Sequence, residues 1–121
     1  MILIDSSVWI NHLRAPNAGV SALLDDGAAL THRFVIGELA LGSIKDRQTV
    51  IAALGELPHA PVATDAEVLA LIETHALHGS GVGYIDAHLL AATLLAHATL
   101  WTADKRLAAM AQRLGVAAPS A

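Results

Sequence analysis

Two short apolar runs lie almost a chain's length apart, and each ends in an aspartate. Met1-Ile2-Leu3-Ile4 leads into Asp5, and Thr99-Leu100-Trp101-Thr102-Ala103 leads into Asp104. The first run is apolar throughout, as a central strand covered on both faces is. Between the two runs, strand-like and helical spacings alternate. That alternation predicts the α/β class: a mainly parallel central sheet with helices on both faces. In such sheets, an acid at the carboxyl end of a strand points into the crevice where ligands bind.

The intervening segments are read in order. Ser6 or Ser7 can cap a helix with Val8, Trp9, Ile10 and Leu13 on its apolar face. Pro16-Asn17 breaks it, and a second helix from about Ala18 to Asp26 turns Val20, Leu23 and Leu24 inward, with Gly27 as its stop. Ala28–Thr31 is a short strand. From Phe34, helical spacing puts Val35, Leu39 and Ile44 on one face, and a further helix spans about Arg47 to Leu54. His59–Ala63, flanked by prolines, can only be an edge strand. Thr64 or Asp65 then caps a helix carrying Val68, Leu69, Leu71 and Ile72. The loop Gly79-Ser80-Gly81-Val82-Gly83 precedes a helix from Tyr84 to about His97. Asp104 opens the last helix, closed by Gly115, and Val116 adds a final short strand before the Pro-Ser-Ala tail.

A length of 121 residues suits one domain over 1–121, with no repeat or linker. The absence of cysteine excludes disulfides and thiol catalysis. No basic stretch precedes an apolar core at the N-terminus, so a cytoplasmic protein is expected. The longest uncharged stretch, Ala87 to Ala103, changes period midway and contains two histidines, unlike a membrane span. A net charge of −4 argues at first against a nucleic-acid partner. If four of the eleven acids surround a cation, however, the other seven balance the seven Lys and Arg.

Four acids draw attention. Asp5 and Asp104 close the two strand-like runs, and each doubles as a candidate helix cap. Glu38 and Asp86 are harder to assign to capping, because each is the single acid of a long apolar segment, Phe34–Leu41 and Val82–Leu95. A buried carboxylate without a partner costs several kcal/mol or takes up a proton. Coordination of a hard divalent cation, Mg²⁺ or Mn²⁺, removes that cost and points to metal-assisted hydrolysis of a phosphodiester. Thr102, two residues before Asp104, points to the same side and can hydrogen-bond a ligand or substrate phosphate.

The motifs resemble those of PIN-domain ribonucleases of the VapC toxin type. Asp5-Ser6-Ser7-Val8-Trp9-Ile10 resembles their opening, and Glu38 in a Gly-Glu-Leu context their second acidic position. Gly81-Val82-Gly83-Tyr84-Ile85-Asp86-Ala87-His88-Leu89-Leu90-Ala91 is similar to their third motif, and Trp101-Thr102-Ala103-Asp104-Lys105-Arg106-Leu107 to their fourth. The resemblance implies a PIN-like fold and a Mg²⁺- or Mn²⁺-dependent endoribonuclease cutting structured RNA such as tRNA or rRNA. It also implies a homodimer, with no membrane partner, neutralised by a cognate DNA-binding antitoxin. Asp5, Glu38, Asp86 and Asp104 are then the catalytic metal ligands, with Ser6 and Thr102 as supporting polar groups. Arg14, Lys105 and Arg106 are the cations expected to touch RNA phosphates.

Other features are read as structural. The glycine loop follows a helix and has Tyr84 where a dinucleotide fingerprint needs its third glycine. None of the seven histidines forms a His-Glu-x-x-His element, and most are expected at the surface or at helix ends. His88 is kept as a contact to substrate or to the acids. Trp9, Trp101 and Tyr84 are expected in the core. A dehalogenase-like phosphatase needs a second acid where Ser7 stands, and a receiver domain needs an acceptor acid after a middle strand. The remaining alternative is a catalytically silent module that binds metal together with RNA or a protein partner.

Overall fold

The computed structural model describes residues 1–119; Ser120 and Ala121, the end of the expected tail, lie outside the described residues. In chain order the elements are β1 (Ile2–Ile4), α1 (Ser6–Arg14), α2 (Ala18–Asp25), β2 (Ala29–Leu30) and α3 (Arg33–Leu41). They continue with α4 (Arg47–Gly55), α5 (Asp65–Thr74), α6 (Tyr84–Leu95), β3 (Thr99–Trp101) and α7 (Lys105–Arg113). The sheet order is β2-β1-β3, parallel throughout, with Leu3 opposite Leu30 and Leu100.

Both outer strands expected from the sequence shrink to single parallel bridges. His59 pairs with Thr31 beyond β2, and Ala117 pairs with Leu100 beyond β3. Pro58 and Pro61 explain the first case, since proline cannot donate to a ladder on either side of that bridge.

The connections α1–α2 and α3–α4 therefore step outward from β1 to one edge. The connection α5–α6 returns to β3, and α7 steps to the opposite edge. Right-handed crossovers taken in opposite directions leave their helices on opposite faces. The sheet is so covered on both sides, and the direction in which the crossovers step across it switches between β1 and β3.

Strands this short are held by burial on both faces. Leu3, Ile4, Leu89, Leu90, Leu100 and Leu107 are almost wholly excluded from water. Each such side chain contributes about 1.5–3 kcal/mol, set against the conformational entropy of ordering it.

Several local expectations are corrected. The N-cap position of α1 is Asp5, which makes no capping bond, while Ser6 and Ser7 lie inside the helix. Leu24 and Leu69 face solvent, at 37% and 56% exposure. α3 stops at Leu41, so Ile44 reaches the core from the following loop instead. Trp9 is buried as expected, but Trp101 is only partly so and Tyr84 is exposed. The expectation that most histidines lie at the surface or at helix ends holds: only His32, the N-cap of α3, and His88 are buried.

Other expectations hold. Thr64 caps α5 in a reciprocal box with Glu67. Asp104 caps α7 by accepting from the Arg106 and Leu107 amides at 2.9 and 3.0 Å.

Candidate active site

The carboxyl ends of β1 and β3 lie side by side, joined where the Asp5 amide donates to the Trp101 carbonyl at 3.0 Å. This is the point where the connections diverge to the two sheet edges, the place where an open α/β sheet leaves a crevice. Asp5 sits in it, only 4% exposed.

Its Oδ2 accepts from Ser7 Oγ at 2.7 Å and from Thr102 Oγ1 at 2.8 Å. The same two hydroxyls accept in turn. Ser7 Oγ takes the Ala103 amide at 3.0 Å, and Thr102 Oγ1 takes the Asp104 amide at 3.1 Å. With both hydroxyl protons committed to Asp5, the 3.3 Å approach of Ser7 Oγ to Thr102 Oγ1 carries no hydrogen bond. One oxygen of Asp5 is thus locked between α1 and the segment after β3. The other, Oδ1, has only Ser6 Oγ nearby, at a marginal 3.5 Å.

Glu38 and Asp86 reach the same crevice from opposite layers, Glu38 on α3 and Asp86 in the first turn of α6. Ser6 Oγ donates to Glu38 Oε1 at 3.2 Å and so links the second acid to the first. The expectation that Glu38 is buried is corrected: the residue as a whole is exposed, and Asp86 is intermediate. Yet the pKa of each is raised. For Glu38, reduced hydration of the carboxyl outweighs the Ser6 hydrogen bond, and the charges of Asp5 and Asp86 add to the rise. For Asp86, burial comes first and the charge of Asp5 second; the Gly83 amide opposes them, and Asp104 adds a smaller repulsion.

Asp5, Glu38 and Asp86 thus lie within electrostatic reach of one another, and Asp104 within reach of Asp86. No Lys or Arg forms an ion pair with any of them among the described residues, where the one contact of that kind joins His88 and Asp65. The cluster is open rather than caged. Among the described residues, no three carboxylate or imidazole groups lie close enough to enclose one ion. The donor set still fits a hard divalent cation, because it offers carboxylate and hydroxyl oxygens with uncompensated negative charge.

The cations expected near the cleft divide. Lys105 and Arg106 are exposed in the first turn of α7, directly after Asp104. Arg106 lies across Gly81, where a Cβ would stand 2.7 Å from its Cδ. Gly81 has φ +84°, so both its backbone and its missing side chain suit the close approach. Arg14 is not brought to the acids. It ends α1, roughly 13 Å along the helix from Asp5, and lines a groove with Ile10, Leu13, Ile44 and Val50.

Sequence reasoning missed the part played by Ser7, treated there only as a cap. A signal was present, because a serine two residues after a strand-end acid falls in the first helical turn and can reach back to it. His88 was assigned to the acids or substrate, but its Nε2 instead faces Asp65 Oδ1 at 3.4 Å, away from them.

The PIN domain family model matches residues 2–113 of the chain. Ribonuclease VapC32 from each of two strains of Mycobacterium tuberculosis is 51% identical over 118 residues, covering 97% of this chain and 95% of that protein.

Proposed function

This chain belongs to the PIN-domain family, and from that premise we propose that it is a VapC-type toxin, a metal-dependent endoribonuclease. Its substrate is structured RNA, tRNA or rRNA, and the bond broken is a phosphodiester. The observation that carries the reading is the open cluster of Asp5, Glu38, Asp86 and Asp104 at the carboxyl edge of the sheet, without a cationic partner.

Asp5, Glu38, Asp86 and Asp104 are assigned as the residues that hold Mg²⁺ or Mn²⁺. When bound, such an ion supplies an acidified water and neutralises charge growing on the phosphate. The chain's own residues do the rest. Ser7 and Thr102 hold one oxygen of Asp5 and leave the other facing the cleft. Ser6 turns Glu38 toward the cluster. The N-terminus of α6 favours the negative charge of Asp86. Asp104 gives one oxygen to its cap on α7 and keeps the second for the cleft. Lys105 and Arg106 border the acids and are assigned to RNA phosphates; Arg14, on its separate groove, is a more distant contact.

The remaining assignments rest on the family alone. They are a homodimer, a single domain over 1–121, a cytoplasmic location and inhibition by a cognate DNA-binding antitoxin. No helix among the described residues is long and apolar enough to cross a membrane.

The test is purified, antitoxin-free protein on total cellular RNA, with Mg²⁺ or Mn²⁺ against EDTA, beside Asp86→Asn. Discrete fragments that require both the metal and Asp86 are expected. Metal binding without cleavage would instead support a silent binding module.

A further inference from the structure

Glu38 and Asp86 come from helices on opposite faces of the sheet, so something must hold α3 and α6 in register at the cleft. The first turn of α6 offers two side chains for this. Tyr84 and His88 are four residues apart and share one side of the helix, while Asp86 between them projects from the other. His88 is buried, with its ring edge-on to Phe34 on one side and to Tyr84 on the other, at centroid distances of 5.0 and 4.8 Å. Phe34 lies one turn before Glu38 on α3, on the same side of that helix. The aromatic contact therefore links the two helix layers directly behind the two acids.

Its far end is anchored by Asp65, in the first turn of α5. Asp65 Oδ1 accepts from Tyr84 Oη at 2.9 Å and lies 3.4 Å from His88 Nε2. The buried Nδ1 of His88 has no hydrogen-bond partner among the described residues. Among the described residues no hydrogen bond is made to this ring, and Asp65 is the one charged group within ion-pair distance of it.

We propose that Asp65 is a positioning residue: through Tyr84 and His88 it holds the first turn of α6 against Phe34 of α3, and so sets how Asp86 stands relative to Glu38. The inference rests on the metal-site reading given above. Asp65 accepts no bond from a residue of the acidic cluster, and its exposed carboxylate has no hydrogen-bond partner other than Tyr84 among the described residues.

Three variants of the full chain test it: Asp65→Ala, Asp65→Asn and Tyr84→Phe. Two readouts are used, amide hydrogen exchange without added metal and Mn²⁺ affinity by calorimetry. Asp65→Ala is expected to speed exchange at Ala87 and His88 but not in α7, and to weaken Mn²⁺ binding about tenfold. Asp65→Asn keeps an acceptor for Tyr84 and is expected to stay near wild type. Tyr84→Phe keeps the ring on His88 and loses only the hydroxyl, so it should reproduce part of the alanine effect even where Asp65→Ala folds poorly. Unchanged exchange in both Asp65→Ala and Tyr84→Phe would overturn the brace. Altered exchange with wild-type Mn²⁺ affinity would overturn its link to the acids. A wild-type protein that binds no Mn²⁺ would sink the metal reading instead, while the exchange data still decide the brace.

Discussion

Two halves of one cleft hold their acids in opposite ways. On the strand side, Asp5 is buried and one of its oxygens accepts two short hydroxyl hydrogen bonds. On the helix side, Glu38 has a single serine donor, and both Glu38 and Asp86 carry raised pKa values. The strand half is a finished network that costs stability when broken. The helix half is electrostatically unfinished, and its strain is relieved by a proton, a neutral substitution or a cation. The contrast separates an acid that organises the site from acids that wait for a ligand.

Acidification isolates the helix-side acids most strongly, because it acts on them and on the buried His32 with opposite signs. His32, wholly buried, caps α3 by accepting the Phe34 amide on Nδ1 at 3.0 Å. Burial first, and then the nearby His88, Arg33 and His59, lower its pKa from 6.5 to about 4. The unfolded chain therefore binds a proton at His32 before the folded one does. Stability on its account is full above 6.5 and falls as pH drops toward about 4. The loss is bounded at roughly 3 kcal/mol. Glu38 and Asp86 act the other way: with raised folded pKa values, the folded chain binds their protons first and gains stability as pH falls through them. Denaturant melts across pH 7 to 4 should thus show a net decline in wild type that shrinks in His32→Gln. An equal decline in that variant would assign the loss to another group.

Next in size is Asp5→Ala, which strips the acceptor from Ser7 and Thr102 and is expected to cost about 2–3 kcal/mol in urea unfolding. A neutral result would mean that the network contributes nothing beyond its own desolvation. Thr102→Val removes one donor to Asp5 and the acceptor for the Asp104 amide, at about 1–2 kcal/mol. RNA cleavage should fall in the same variant, because Asp5 loses half of its lock. The smallest effect carries the reversed sign. Asp86→Asn in metal-free protein should leave stability unchanged or raise it by up to about 1 kcal/mol, while abolishing cleavage. A clearly destabilised Asp86→Asn would erase the distinction between the two halves.

The fold was largely legible because its signals are local. The apolar runs ending at Asp5 and Asp104, the caps at Thr64 and Asp104 and the glycine stop at Gly27 each depend on a few neighbouring residues. The misassignments share the opposite character. Leu24, Leu69 and Tyr84 have apolar bodies at helical spacing, but whether a given face is covered depends on which helix packs there. Ser7 reads as a cap because the amide it accepts from, that of Ala103, lies 96 positions away along the chain. His88 looked like a companion of Asp86 because they are two residues apart, yet a helix turns such a pair to different sides.

The alternation of strands and helices, the acids that close the strands and the acids that stand alone in apolar segments are all readable without a fold. Those are properties of residue type and period, and they survive any packing. Packing alone fixes that Glu38 and Asp86 arrive from opposite layers, that Arg14 stays away from the acids, and that Asp65 stands behind them. The reason is topological: the switch in crossover direction between β1 and β3 sets which helix ends meet, and the meeting of distant side chains has no local signature.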